Sequence, residues 1–371
     1  MSSRFSIFIP VYRESEFLEP LLVNLVADLY ENKEIIVVVD EPTEKSLSLA
    51  DKYSNKVRFV WNGERRGKVN VLNEVVEQST GDILFFLDSD IILDNNTETI
   101  LETISREIEN AEIVEVKKDV IRDSFLARIV SYDYMGFNFT NWFFSRKLNR
   151  CVGLNGAAFA IKREAFMTLG GFRKVIMEDL DIGTRSFIKG IRYKFMKNIR
   201  IYTKAPSSWN DWYKQRKRWA LGSALWFKEY FKDFVRIAKA HPGVLLPALL
   251  LIFPCLPFFL VTLIMPDEIF LKTVYFSLLL LSTQTTLLLT PAAFTSTSLA
   301  IFRNLTLMVG GIGAYSSFFY MLSRKMGCPF NPLEFLLFYL VYSPLWLLII
   351  VTNLSRVCLK QKTASIDWKY E

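Results

Sequence analysis

Apolar positions follow two regimes along this chain. Up to residue 242 they come as short runs and helical stripes among many charges. From Gly243 to Cys358 they come in stretches of about twenty. The runs at 6–11 (SIFIPV), 34–39 (EIIVVV) and 83–87 (ILFFL) lack the polar alternation of a half-solvated strand, so each reads as a strand buried on both faces. Shorter strands are predicted at 56–60, 112–117, around 159 and at 199–203. Helical spacing marks 17–29, 46–52, 68–78, 97–108, part of 123–148, the residues before Leu169, 177–188 and 209–219. Strands alternating with helices of ordinary length predict a doubly wound α/β sheet over residues 1–242.

Residues 243–371 form a second region. Its apolar stretches, 244–265, 269–290, 299–321 and 333–351, each suffice for the ~30 Å hydrocarbon core. Pro254, Pro257 and Pro344 loosen helices without preventing insertion, and Gly310, Gly311 and Gly313 suit close helix packing. Glu334 would sit at the interface. The tail, with Arg356, Lys360 and Lys362, reads as cytoplasmic, whereas Arg324 and Lys325 conflict with a strict four-helix count, leaving three or four spans. The first apolar run is short and soon meets Arg13 and Glu14, so it reads as a strand and not as a signal or anchor. The α/β region is therefore expected in the cytoplasm, on an integral protein of the plasma membrane or another cytosol-facing membrane.

Charge changes this picture little. Residues 1–242 hold 37 Lys and Arg against 33 Asp and Glu, and the whole chain carries +7. The excess is spread out, with no basic stripe interleaved with aromatics, which excludes nucleic acid as the expected partner and allows contact with anionic lipid. Cys151, Cys255, Cys328 and Cys358 form no CxxC pair, so neither a disulfide framework nor a zinc site is indicated. The single histidine, His241, reads as a boundary residue beside Pro242 and Gly243.

Candidate chemistry gathers at strand ends. Asp40 closes the second strand, and Asp88-Ser89-Asp90 closes the run at 83–87, where ligands of open α/β sheets bind. Asp residues also begin turns and cap helices, and for Asp40 that reading weighs equally. Two carboxylates one residue apart repel unless a cation shares them, which suits a divalent metal bridging to phosphate. No GxGxxG or GxxxxGK sequence occurs, so dinucleotide and P-loop sites are disfavoured; Arg65, Arg66 and Lys68 offer positive charge instead. Small residues at 153–158 (GLNGAA) allow close backbone approach. Glu178-Asp179 opens a predicted helix. In WNDWYKQRKRW (209–219) Gln215, Arg218 and Trp219 share a helical face, although a basic amphipathic interface helix fits as well. The aromatics of 123–148 suit a helix near the headgroups or ordinary core packing.

Ile9-Pro10-Val11-Tyr12 with Glu14, Asp40, Gly67-Lys68 with Leu72-Asn73, Asp88-Ser89-Asp90, Gly153 to Gly156, Glu178-Asp179 and Gln215-Arg216-Lys217-Arg218-Trp219 occur in that order. This series, ahead of membrane helices, resembles the family 2 inverting glycosyltransferases. It matches the membrane-integrated branch with DxD, ED and QxxRW motifs that includes ceramide glucosyltransferase-like enzymes and the cellulose, chitin and hyaluronan synthases.

The resemblance implies an α/β GT-A domain followed by an α-helical transmembrane domain. It implies a nucleotide-diphosphate sugar donor, UDP-linked in preference to GDP-linked, held by Pro10, Tyr12, Glu14, Asp40, Lys68, Asp88, Ser89 and Asp90. Asp90 with Asp88 would hold Mg²⁺ or Mn²⁺. Asp179 would be the general base, oriented by Glu178, with Arg218 on the departing diphosphate. Gln215 and Trp219 would close the cleft, and Asn155, Gly156 and Trp219 would meet the acceptor. Glu41-Pro42 stands where many relatives have Asp-Gly or Asp-Ser, which unsettles the base and ribose contacts. No helices precede the catalytic region and no long insertion interrupts it, unlike many polymer synthases, so a membrane lipid is the favoured acceptor. A processive polysaccharide synthase is the nearer alternative. A polyprenyl-phosphate sugar synthase ranks lower because such enzymes generally lack QxxRW. A non-catalytic transporter or scaffold is the alternative from another class.

Overall fold

The computed structural model describes residues 3–94, 99–243, 277 and 296–359. Two compact units divide the chain, Met1–Ala248 with Trp346–Glu371 and, separately, Leu249–Leu345. The first is a GT-A-like mixed α/β domain built on an eight-stranded sheet.

The apolar runs form its centre. β1 (Phe5–Tyr12) pairs in parallel with β2 (Lys33–Asp40) and β4 (Ile83–Leu87), and β2 pairs in parallel with β3 (Arg58–Asn62). Phe5, Ile7, Phe8 and Ile9 are 0% exposed. Burying each such side chain is worth roughly 1.5–3 kcal/mol, so a strand apolar on both faces settles in mid-sheet under helices on either side. α1 (Leu18–Ala27), α2 (Glu44–Tyr53) and α3 (Lys68–Glu77) connect the strands, and Thr43 caps α2 in a reciprocal box with Ser46.

Beyond β4 the sheet departs from the all-parallel arrangement that doubly wound alternation predicts. β5 (Ile91–Leu93), α4 (Ile100–Ile108), β6 (Ile113–Val120) and the long α5 (Phe125–Leu148) follow. β7 (Ala158–Lys162) then enters antiparallel to both β4 and β6, and β8 (Tyr193–Thr203) runs parallel to β6 but antiparallel to β5. The order is β3-β2-β1-β4-β7-β6-β8-β5. A strand buried on both faces looks the same in either direction, so the apolar pattern could not reveal this reversal.

The aromatic helix α5 packs on β6 and β8, burying two of its aromatics and leaving Phe125 exposed. It buries Tyr132, Met135 and Phe144, and its buried polar groups hold backbone and side chains of β6 and β8. Asn138 Nδ2 donates to the Lys118 carbonyl at 2.7 Å, and Ser145 Oγ accepts from the Phe195 N–H at 3.0 Å. Next come α6 (Arg163–Leu169), α7 (Glu178–Ile188) and α8 (Trp209–Ala240). The segment predicted to be helical over 209–219 is the opening of this 32-residue helix, which His241 ends.

The apolar stretches 244–265, with Cys255, and 269–290, apart from Ser277, lie outside the described residues. The stretch at 299–321 falls in α9 (Ser296–Met326). The last belongs to α10 (Pro332–Cys358), which has a π-helical turn at Phe338–Tyr342 and a mean hydropathy of 2.2. Among the described residues α10 is the one helix long and apolar enough to cross a membrane. Among the described residues Cys151 and Cys358 are free thiols.

Candidate active site

The carboxyl ends of the central strands carry Tyr12, Asp40, Asn62 and, one residue on, Asp88. Asp40 is 7% exposed and engaged on both oxygens: Oδ1 accepts from Asn62 Nδ2 at 2.8 Å, and Oδ2 from the N–H groups of Arg66 and Gly67 at 3.1 and 2.9 Å. It thereby shapes the GERRGK loop. Gly67, at φ 84°, turns that loop into α3 in a backbone region that side chains disfavour. Arg65 stacks 4.2 Å over the Tyr12 ring, whose hydroxyl donates to Glu41 at 3.0 Å. Glu14 accepts from Thr43 at 2.8 Å. Arg13 and Glu41, at φ 61° and 51°, hold left-handed conformations just past β1 and β2, a local strain typical of ligand-facing loops.

Lys68 opens α3 and reaches across to the next strand end. Its Nζ lies 2.8 Å from Asp88 Oδ1 and 3.1 Å from Glu178 Oε1. Burial pulls its ammonium down, but the two carboxylates outweigh that and hold it well above the usual range. The same ammonium ties β4 to the start of α7, where the unpaired N–H groups of a helix favour Glu178 and Asp179. Surrounding protein lifts the Asp90 carboxyl, and the charge of Asp88 adds to the rise. Ser89 is fixed through its carbonyl, which accepts from Ser15 at 2.6 Å.

Asp179 accepts from its neighbour's Leu180 N–H at 2.8 Å and from the Gly156 N–H at 3.1 Å. Burial, then the charge of Glu178, raises it to about 6 despite Lys68 and these hydrogen bonds. The backbone of 153–156 lies so close to α7 that a Cβ at Gly153 would stand 2.6 Å from Leu180 Cδ2. Thr184 Oγ1 donates to the Val152 carbonyl at 2.7 Å and secures the same loop.

Pro10, Lys68, Asp88, Gly156, Glu178 and Asp179 line one hollow. Tyr12, Glu14 and Asp40 lie around the neighbouring loop, and Asn155 adjoins Gly156. Gln215, Arg218 and Trp219 are half-buried on α8, outside that lining. Gly222 of α8 packs on the residues just before Glu178, and a Cβ there would meet Met177 Cγ at 2.4 Å.

Three further charged groups escaped the sequence reading. A register shift between Val116 and Lys117 interrupts β6, and just beyond it stands Lys118, raised by Tyr134, Asp90, Asp88 and Asp179 against the opposing effect of burial. Glu115 is 0% exposed and accepts from Asn141 of α5 and Tyr193 of β8. Arg216, 2% exposed, donates to Asp133 on α5 at 2.7 Å and faces Trp219 at 4.6 Å and Trp346 of α10 at 5.0 Å. Strand and helix periodicity marked faces for these residues, but nothing local marked a charge as buried.

Residues 6–170 match the model of glycosyl transferase family 2. Over 222 residues the chain is 28% identical to a poly-β-1,6-N-acetyl-D-glucosamine synthase of Staphylococcus aureus, covering 57% of this chain and 52% of that one. Over 246 residues it is 25% identical to a probable glycosyltransferase of Bacillus subtilis, covering 63% and 58%. The chain thus spans between half and three-fifths of the length of these relatives. A mannosyltransferase of Pyrobaculum calidifontis, solved with GDP-mannose and Mn²⁺, superposes with a TM-score of 0.49 at 18% identity, covering 84% of this chain and 86% of that one.

Proposed function

We propose that this chain, a glycosyltransferase of family 2, moves a sugar from a nucleotide-diphosphate donor to a membrane lipid with inversion at the anomeric carbon. The observation that carries the reading is the Asp179 carboxyl, raised to about 6, sharing one hollow with Lys68 and Asp88. A carboxylate of that basicity is ionised near neutrality yet basic enough to take a hydroxyl proton as it leaves.

In the proposed step the acceptor hydroxyl passes its proton to Asp179 as its oxygen bonds to the anomeric carbon. The bond from that carbon to the diphosphate oxygen breaks on the opposite face, and the nucleoside diphosphate departs with the electron pair. Glu178 and the Gly156 N–H hold the base in place. Lys68, with Arg218, supplies positive charge to the leaving group. Pro10, Tyr12, Glu14, Asp40 and Ser89 form the donor side, while Asn155, Gly156, Gln215 and Trp219 form the acceptor side. UDP is favoured over GDP as the nucleotide.

Asp88 and Asp90 fit a divalent cation. They are hard oxygen donors at one strand end, and the charge of one raises the other, a repulsion that a cation relieves. Among the described residues no third His, Cys, Asp or Glu completes a cage, which suits Mg²⁺ or Mn²⁺ held by few carboxylates together with substrate phosphates. Bound there, the ion would offset charge on the diphosphate.

The lipid acceptor rests on α10, whose apolar length suits a bilayer and whose Trp346 packs on Arg216 of α8. It is consistent with a membrane enzyme organised as residues 1–242 and 243–371, its catalytic part in the cytoplasm. The similarity to a polysaccharide synthase favours a second reading, processive addition of sugars.

The test uses the full chain in lipid with Mg²⁺ or Mn²⁺, a panel of UDP- and GDP-sugars, and mass spectrometry of lipid and aqueous fractions. One sugar on one lipid class, lost with Asp179→Asn and after chelation, supports lipid transfer. A ladder of products moves the reading to the synthase. No donor-dependent product with any sugar would sink both.

A further inference from the structure

Val152 stands at the start of the loop that walls the hollow, and a hydroxyl on the helix of Asp179 holds it. Thr184 of α7 is 0% exposed, with Oγ1 2.7 Å from the Val152 carbonyl and 3.0 Å from the Leu180 carbonyl of its own helix. The same oxygen accepts from the Trp226 indole Nε1 of α8 at 2.9 Å. An indole N–H only donates, and a threonine hydroxyl has one proton to give. The direction of this chain is therefore fixed: Trp226 gives to Thr184, and Thr184 gives to a carbonyl, Val152 being the nearer. The step proposed above uses neither residue.

The contact sits where the loop, α7 and α8 meet. A Cβ at Gly183, the residue before Thr184, would stand 2.7 Å from the Leu154 nitrogen and 2.8 Å from Gly153 Cα, so the loop backbone rests directly on α7. Val152 packs its side chain into a cluster with Tyr230 and Phe234 of α8, and Trp226 lies against that cluster. Farther along the loop, the Gly156 N–H donates to Asp179 Oδ2 at 3.1 Å. On α8, Trp226 comes about two turns after Trp219, on the face where Gly222 meets Met177. The loop is thus pinned at one end by α8 through Thr184, and at the other by the carboxylate proposed to take the acceptor proton.

We infer that Trp226 is a positioning residue for the transfer reaction: its indole N–H, acting through Thr184 Oγ1, sets the 152–156 loop against α7, and so sets Asn155 and Gly156 against Asp179. It also registers that loop to the helix carrying Gln215 and Trp219, so the acceptor groups on the two segments keep one spacing. This rests on the proposed function in naming Asp179 the base and these groups the acceptor side; the tie from α8 to the loop does not.

The experiment compares the full-length wild type with four variants. Trp226→Phe keeps a ring and removes the donor, Thr184→Val keeps the shape and removes the hydroxyl, a double variant combines the two, and Thr184→Ser keeps the hydroxyl. Amide hydrogen exchange is followed at Leu154 and Gly156, and steady-state transfer is followed with UDP-N-acetylglucosamine or GDP-mannose, whichever the wild type turns over. In Trp226→Phe and Thr184→Val both amides should exchange at least about fivefold faster while β4 and β7 stay protected. Their kcat should drop about fivefold or more with donor KM within about threefold, because the acceptor wall is displaced from the base and the donor side is not. The double variant should fall within about twofold of the slower single variant, since both substitutions break one chain of bonds. Thr184→Ser should retain most of the wild-type kcat.

Unchanged exchange at Leu154 and Gly156 in Trp226→Phe, loosened amides with full kcat, or a loss carried by donor KM overturns the inference. Single effects that multiply in the double variant overturn it too, as does Thr184→Ser as slow as Thr184→Val. Should Thr184→Val not fold, Trp226→Phe decides alone, its ring filling much of the same space. A wild type that turns over neither donor counts against the proposed function, and the exchange in Trp226→Phe still judges the tie.

Discussion

Arg216 donates to Asp133 at 2.7 Å, joining α8 to α5 through a pair in which the arginine side chain is 2% and the aspartate 18% exposed. Indoles from Trp219 and Trp346 close over the guanidinium at 4.6 and 5.0 Å. A weakly hydrated, planar cation tolerates such a place far better than an ammonium. The helix that carries Gln215, Arg218 and Trp219 thus takes its orientation from a residue between them.

Removing that cation should destabilise the domain. Breaking a buried pair by deleting one partner costs about 3 kcal/mol or more, and the stacked indoles lose the guanidinium between them as well. Arg216→Met should lower the thermal midpoint in a melt of the full chain, and Arg216→Lys should not restore it, since an ammonium lacks the stacking face. A lysine variant as stable as the wild type would refute the aromatic part of this account.

The rate of transfer should depend on ionised Asp179. Its folded value of about 6 lies above the ordinary 3.8, so the proton is lost only as pH rises through about 6. On that basis kcat/KM should fall about tenfold per pH unit below 6 and level off above it. Measured as a pH–rate profile, an acid limb near 4 would remove Asp179 from the role of base. The sign for stability is opposite. A raised carboxyl favours the folded state at low pH, so this residue's contribution declines between about 3.8 and 6.

Lys68 lowers the Asp179 value while bridging Asp88 and Glu178. Lys68→Met should therefore move the acid limb upward, and it should raise donor KM because a cation is lost from the diphosphate side. A limb that stays in place, or moves down, would show that Lys68 does not act on Asp179.

Gly156 has little room for a side chain. A Cβ there would stand 3.1 Å from Asp179 Cβ and 3.2 Å from its Oδ2, closer than ordinary contact. Gly156→Ala must push the carboxylate aside by a few tenths of an ångström. We expect kcat to fall about tenfold or more with donor KM little changed, since misplacing a reacting group is costly in rate. Titration calorimetry with UDP would check that donor binding survives; unaltered kcat would mean the contact has no catalytic consequence.

Much of this architecture is written locally. Short apolar runs such as Ile83–Leu87 read as buried strands, and the Asp that ends the runs at 34–39 and 83–87 then falls at a strand end. Gly67 marks the turn into α3 because its positive φ suits a residue without a side chain. The resemblance supported by the acidic and QxxRW motifs was legible for the same reason, since each motif is contiguous. Tertiary structure decided the remainder. The direction of β7 depends on where α5 delivers the chain, and a strand buried on both faces carries no arrow. Arg216 reads as one more base in a basic stretch until α5 supplies Asp133 and α10 supplies Trp346. Glu115 reads as one polar residue in an apolar strand until Asn141 and Tyr193 arrive from two other segments to donate to it. Whether a charge can be buried depends on partners distant in sequence, and only the folded chain brings those partners within hydrogen-bond range.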